Sequence, residues 1–157
     1  REFLEVTGVD MVVANLGTEH RASVQDLRYH PEAARAIADA IGPLLVLHGT
    51  SSVPPDQLNH LFDDGVCKVN IWTTLERDSA PVLFRDMLEH AGQILGAERA
   101  QELLDAGLLG PATHRAGRPD MDHFATTRRS EVVFGVMRDI IKGYLDRWYV
   151  AAPVATA

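Results

Sequence analysis

Most of what this sequence lacks narrows its class. It has one cysteine in 157 residues, which excludes a disulfide framework and a cysteine-rich zinc site and suits a reducing compartment. Positive charge is in deficit: 15 Lys and Arg stand against 22 Asp and Glu, a formal net charge of −7. No basic field is there to neutralise phosphates, so nucleic acid is not an expected partner. No apolar run reaches the ~18 residues of a membrane span, and no secretory leader is legible. A soluble, cytoplasmic protein without a membrane partner is expected. Disorder is excluded as well, because 46% of the residues are hydrophobic and 24% charged, the balance of a chain with a core to bury. The length predicts one domain of usual size. Arg1, with no initiator Met, reads as lying partway into a helix.

What is present is an alternation. Asp10 to Leu16, Leu44 to Leu47 and Val66 to Ile71 are short branched apolar runs, as strands buried on both faces require. Pro31-Glu32 opens a helix that continues to Ile41 and stops at Gly42. Pro55-Asp56 opens a shorter predicted helix through Leu58, Leu61 and Phe62 to Gly65. Strands alternating with helices predict an α/β fold of parallel βαβ units. From Thr73 onward the pattern is helical, with Pro81 in a first turn or at a kink and a helix from Glu98 to Leu109. Residues 112–129 read as a loop. Ser130-Glu131 then starts a last helix whose apolar residues, Val132 to Trp148, form one broad face that must pack on something.

Chemistry concentrates where strands end, since the carboxyl ends of parallel strands share one face. His20 and His48 both follow strands there. Zinc takes imidazole nitrogen readily, but a catalytic site needs three protein ligands and an open position; two ordinary hydrogen-bonding histidines fit the spacing equally. In His48-Gly49-Thr50-Ser51-Ser52, backbone N–H groups and hydroxyls can surround an anion. In Lys68-Val69-Asn70-Ile71-Trp72-Thr73-Thr74, Asn70 and Thr73 can hydrogen-bond a ligand at a helix N-terminus. Spacing alone leaves the alternative open that Ser51, Thr73 and Thr74 cap helices.

Three strings carry a resemblance: Thr7-Gly8-Val9-Asp10 with Gly17-Thr18-Glu19-His20, Leu45 to Ser51, and Val66 to Thr73. In this order, with His20 and His48 separated by 28 positions in the numbering, they resemble the class II, zinc-dependent ketose-bisphosphate aldolases over roughly residues 1–78. The resemblance implies a (β/α)8 barrel of which this chain holds the C-terminal portion. Residues 1–78 would be its last three βα units, 79–150 a C-terminal helical region and 151–157 a tail. It makes His20 and His48 two zinc ligands, and Gly49 and Ser51 the loop that holds the phosphate of dihydroxyacetone phosphate. Asn70 becomes the substrate-binding Asn and Thr73 a phosphate-binding Thr, with Thr50, Ile71 and Trp72 completing the lining. A monovalent cation, Na⁺ or K⁺, and a homo-oligomer, dimer or tetramer, are further implications. The implied reaction is retro-aldol cleavage of a phosphorylated ketose, fructose or tagatose 1,6-bisphosphate, to dihydroxyacetone phosphate and an aldehyde.

Three residues depart from the family pattern. Arg21 and Ser52 stand where Gly is usual, and Trp72 where a small residue is usual. Arg21 either points into the site mouth and reads a second anionic group of the substrate or turns outward to pair with Glu19 or Asp26. The outward placement is expected, because a cation beside zinc is repelled. A barrel needs about 250 residues, so the chain reads as part of a longer polypeptide whose catalytic Asp and third zinc His lie upstream; alone it is expected to be inactive. The departures motivate an alternative, a non-catalytic sugar-phosphate-binding or assembly homologue. The apolar last helix motivates another, an interaction module from Thr74 onward.

Overall fold

The computed structural model describes residues 1–18 and 27–148. The described residues divide into two compact units, one formed by residues from Arg1 to Thr74 with Arg147 and Trp148, the other by Leu75–Asp146.

The first unit is α/β. Helix α1 (Glu2–Thr7) is followed by β1 (Val12–Val13), α2 (Pro31–Ile41), β2 (Leu45–Leu47) and β3 (Val66–Val69). The strands form a parallel sheet in the order β1-β2-β3. Central β2 has partners on both sides and is buried throughout, with Leu45, Val46 and Leu47 at 0%, 6% and 1% exposure. β1 is far shorter than the predicted run. The Asn15 side chain accepts the Gly17 N–H at 3.0 Å, which turns the chain away from the sheet and sends Leu16 into the core.

Helix α2 keeps its predicted limits, set by Pro31 in the first turn and Gly42 after the last. It packs closely on the turn into β3. A Cβ on Gly65, at φ +91°, would stand 2.2 Å from Ala38 Cβ, so only glycine fits. The same corner is fixed by buried Asp64, which accepts the Tyr29 hydroxyl at 3.0 Å and Arg35 Nη1 at 2.6 Å. Burial, followed by the bond to Asp64 and its negative charge, pushes the Tyr29 phenol well above its ordinary pKa.

The helix predicted from Pro55 is instead a 3₁₀ turn, Gln57–His60. Its anchors Leu58 and Leu61 are both buried, and an i, i+3 pair is what a 3₁₀ turn aligns. Its exposed carbonyls are capped from the chain's far end. Trp148 Nε1 donates to Leu58 O at 2.8 Å and Arg147 Nη1 to Pro55 O at 2.8 Å. The Trp148 ring meets Phe62 edge-on, with centroids 5.7 Å apart.

Helix α3 (Thr73–Glu89) leaves the first unit and carries Pro81 inside it. The second unit continues with α4 (Ala91–Leu95), α5 (Ala97–Asp105), α6 (Met121–Phe124) and α7 (Thr126–Trp148). The region predicted as a loop, 112–129, thus contains α6 and the first turn of α7. The missed signal is Asp120, whose side chain accepts the Asp122 N–H and caps α6; that bond and His123 hold its carboxyl below the usual range. His90 and His123 stack with centroids 4.7 Å apart, and Arg128 pairs with Asp86. The broad face expected on α7 is only half covered: none of its residues is fully buried. The proposed tail, 151–157, lies outside the described residues.

Candidate active site

The site grows from the carboxyl ends of β2 and β3. Beyond β2 the chain reaches His48 and then turns at Gly49, whose φ of +70° is left-handed and favours glycine. The next residues form a 3₁₀ turn, Thr50–Ser52, closed by Ser52 N–H to Gly49 O at 2.9 Å and Val53 N–H to Thr50 O at 3.1 Å. Ser52 therefore occupies a helical turn, a conformation that does not call for the glycine of the family pattern. Beyond β3 the chain passes Asn70, Ile71 and Trp72 and enters α3 at Thr73.

Backbone bonds hold the two strand ends together. Asn70 N–H donates to Leu47 O at 3.0 Å, and Thr50 Oγ1 donates to Asn70 O at 2.8 Å. Thr18, leaving β1, donates its hydroxyl to His48 O at 2.7 Å. Side chains continue the link: Asn70 Nδ2 lies 2.8 Å from His48 Nε2, and Lys68 Nζ lies 2.9 Å from Asn70 Oδ1.

Between the strand ends is a cavity of about 190 Å³, lined by Gly49, Thr50, Ser51, Val69, Asn70, Ile71, Trp72, Thr73 and Thr74. All seven residues expected to contact substrate or phosphate are among them. Among the described residues no charged side chain lines it. An anion entering this space meets hydroxyls and the N–H groups of first helical turns, which have no partner within their own helix. The Trp72 indole, 58% exposed, forms part of the wall.

The expected zinc ligands are only partly described. His48 stands at the end of β2 with Nδ1 buried, an imidazole of suitable kind. His20 and Arg21 lie outside the described residues. Among the described residues no group of three His, Cys, Asp or Glu side chains is placed to hold a metal. These residues fit a zinc centre as contributors of one ligand and do not complete it. Two contacts went unread in the sequence, Thr18 to the His48 carbonyl and Lys68 to Asn70. The second has a sequence signal, because residues two apart on a strand share a face.

The sequence model of the family described as "Fructose-bisphosphate aldolase class-II" matches residues 1–114. The D-tagatose-1,6-bisphosphate aldolase subunit GatY of Klebsiella oxytoca is 33% identical over 90 residues, covering 57% of this chain and 30% of that protein. A fructose-bisphosphate aldolase of Giardia intestinalis is 32% identical over 96 residues, covering 45% of this chain and 30% of that protein. The chain thus spans under a third of the length of the curated relatives it matches. No solved structure matches it.

Proposed function

Because the chain belongs to the class-II fructose-bisphosphate aldolase family, we propose that it forms the last three βα units of a (β/α)8 barrel, residues 1–78, followed by a helical region, 79–150, and a tail, 151–157. The whole protein is then a cytoplasmic, homo-oligomeric aldehyde-lyase. It cleaves a phosphorylated ketose, fructose or tagatose 1,6-bisphosphate, reversibly to dihydroxyacetone phosphate and an aldehyde. The single observation that carries this reading is the cavity that gathers Gly49, Ser51, Asn70 and Thr73 from two strand ends.

In this reading the Ser51 and Thr73 hydroxyls and the Gly49 and Thr50 backbone take the phosphate, beside a monovalent cation. Asn70 bonds a substrate oxygen. Ile71 and Trp72 close the wall, and the clamp fixes the ketose so that its reacting carbons meet the catalytic groups in one geometry. His20 and His48 contribute two zinc ligands; bound zinc supplies Lewis-acid polarisation of the ketone. Arg21 turns outward, and Arg21→Gly leaves cleavage of the native substrate intact.

The test is retro-aldol activity of the intact protein before and after chelation. Cleavage lost on chelation and restored by zinc is the expected result. Tight sugar-phosphate binding without cleavage supports the non-catalytic alternative, which the exposed Trp72 indole in the cavity wall favours.

A further inference from the structure

We propose that Lys68 is a positioning residue: its ammonium fixes which way the Asn70 amide faces, and through that amide it sets which ring nitrogen of His48 carries the hydrogen. This rests on the reading of His48 and Asn70 as site residues.

The argument starts from how little freedom Asn70 has. Its N–H is held by Leu47 O and its C=O by Thr50 Oγ1, so the backbone is pinned at both ends. The remaining choice is the two-fold torsion of the terminal amide, which exchanges oxygen for NH2 at nearly equal shape. Lys68 breaks that tie. Lys68 and Asn70 are two residues apart along the same strand direction and so share a face. An ammonium has three donors and no acceptor, so the atom 2.9 Å from Lys68 Nζ is the amide oxygen. The NH2 group then faces His48 Nε2 at 2.8 Å. A nitrogen that receives an N–H offers its lone pair, and a neutral imidazole with its lone pair on Nε2 carries its hydrogen on Nδ1.

The consequence concerns ligand loading. With Lys68 in place, Nε2 of His48 is occupied by the amide and Nδ1 bears the hydrogen. A metal taken at Nε2 must displace the amide. One taken at Nδ1 needs the ring hydrogen moved to Nε2, which then needs the amide oxygen turned towards it, away from Lys68. Either way the amide contact that Lys68 fixes has to be given up.

The test reads the ring directly. In intact, metal-free protein labelled with ¹⁵N-histidine, long-range nitrogen–proton correlations report the two tautomers of His48. Wild-type protein is expected to show the Nδ1–H form. In Lys68→Met the ratio of Nδ1–H to Nε2–H should fall about threefold or more, the loss of a partly exposed charged hydrogen bond. Lys68→Arg should keep the wild-type ratio, because a guanidinium also only donates. Asn70→Ala should shift the ratio as Lys68→Met does, and the double variant no further, since the two act through one contact. A wild-type Nε2–H form, or a Lys68→Met spectrum identical to wild type, overturns the proposal. Absence of chelator-sensitive cleavage would overturn the aldolase reading and leave this ratio untouched, so the two failures are distinguishable.

Discussion

In β2 of the first unit, Leu45, Val46 and Leu47 are all less than a tenth exposed; in α7 of the second, Phe134 and Leu145 are 64% and 57% exposed and no residue is fully buried. Both segments are rich in apolar side chains, so hydrophobicity does not separate them. Backbone chemistry does. A strand leaves its N–H and C=O groups unpaired until neighbours arrive on each side, so β2 exists only with β1 and β3 beside it, and that pairing buries it. A helix satisfies its own backbone. It can form with its apolar face only partly covered, and α7 does, beside a groove lined by Leu75, Phe134, Met137, Ile141 and Leu145.

The contrast predicts very different costs for the same kind of change. Leu45→Ala should destabilise the intact protein by about 2–5 kcal/mol in guanidinium unfolding, since a fully buried side chain leaves a cavity. A cost under about 1 kcal/mol would mean that the sheet is not the most tightly packed part of the molecule.

Next in size are the hydroxyls at the strand ends. Ser51→Ala and Thr73→Ala should each raise KM for the phosphorylated ketose about tenfold, because a hydrogen bond to a charged group is worth roughly 1.5–3 kcal/mol. An unchanged KM in steady-state kinetics would return both residues to helix capping.

The buried corner of the first unit gives a pH signature. The folded protein keeps the Tyr29 phenol neutral beyond its ordinary pKa of 10.0, mainly through burial and then through Asp64. Below that value the phenol is neutral in the folded and unfolded chain alike, and the stabilisation is complete. As pH rises past it, only the unfolded tyrosine ionises, and stability falls. Unfolding midpoints measured across that range should decline more steeply for wild type than for Tyr29→Phe. Equal slopes would place the alkaline transition elsewhere.

The smallest effect belongs to α7. Phe134→Ala should change stability by no more than about 0.5 kcal/mol, as expected for an exposed position. A loss approaching that of Leu45→Ala would show that this face is covered in the intact protein, and the contrast between the two units would dissolve.

Local chemistry made some of this legible in the sequence. The limits of α2 follow from Pro31 and Gly42, residues that start and stop helices by their own backbone restrictions. The clustering of Ser51 with Gly49 likewise follows from neighbours along the chain. The α/β class follows from branched runs between helical stretches, and the three strings around the strand ends carried the family resemblance. Other features depend on who arrives from far away. Leu58 sits in a 3₁₀ turn with Leu61 directly after it, and Trp148 caps that turn from ninety residues along the chain. Residues 112–129 hide a helix that depends on one Asp120 cap.

The sequence by itself therefore determined which residue types stand at the strand ends, because glycine, proline and hydroxyl side chains act within a few residues of where they lie. Only the tertiary structure decided which of them meet. Parallel pairing sets Val46 against Lys68 and Leu47 against Val69, and that register brings Asn70 to His48, with Lys68 beside it. A register shifted by one residue would turn those side chains to the opposite face of the sheet. That choice is made by pairing between strands, and no single strand contains it.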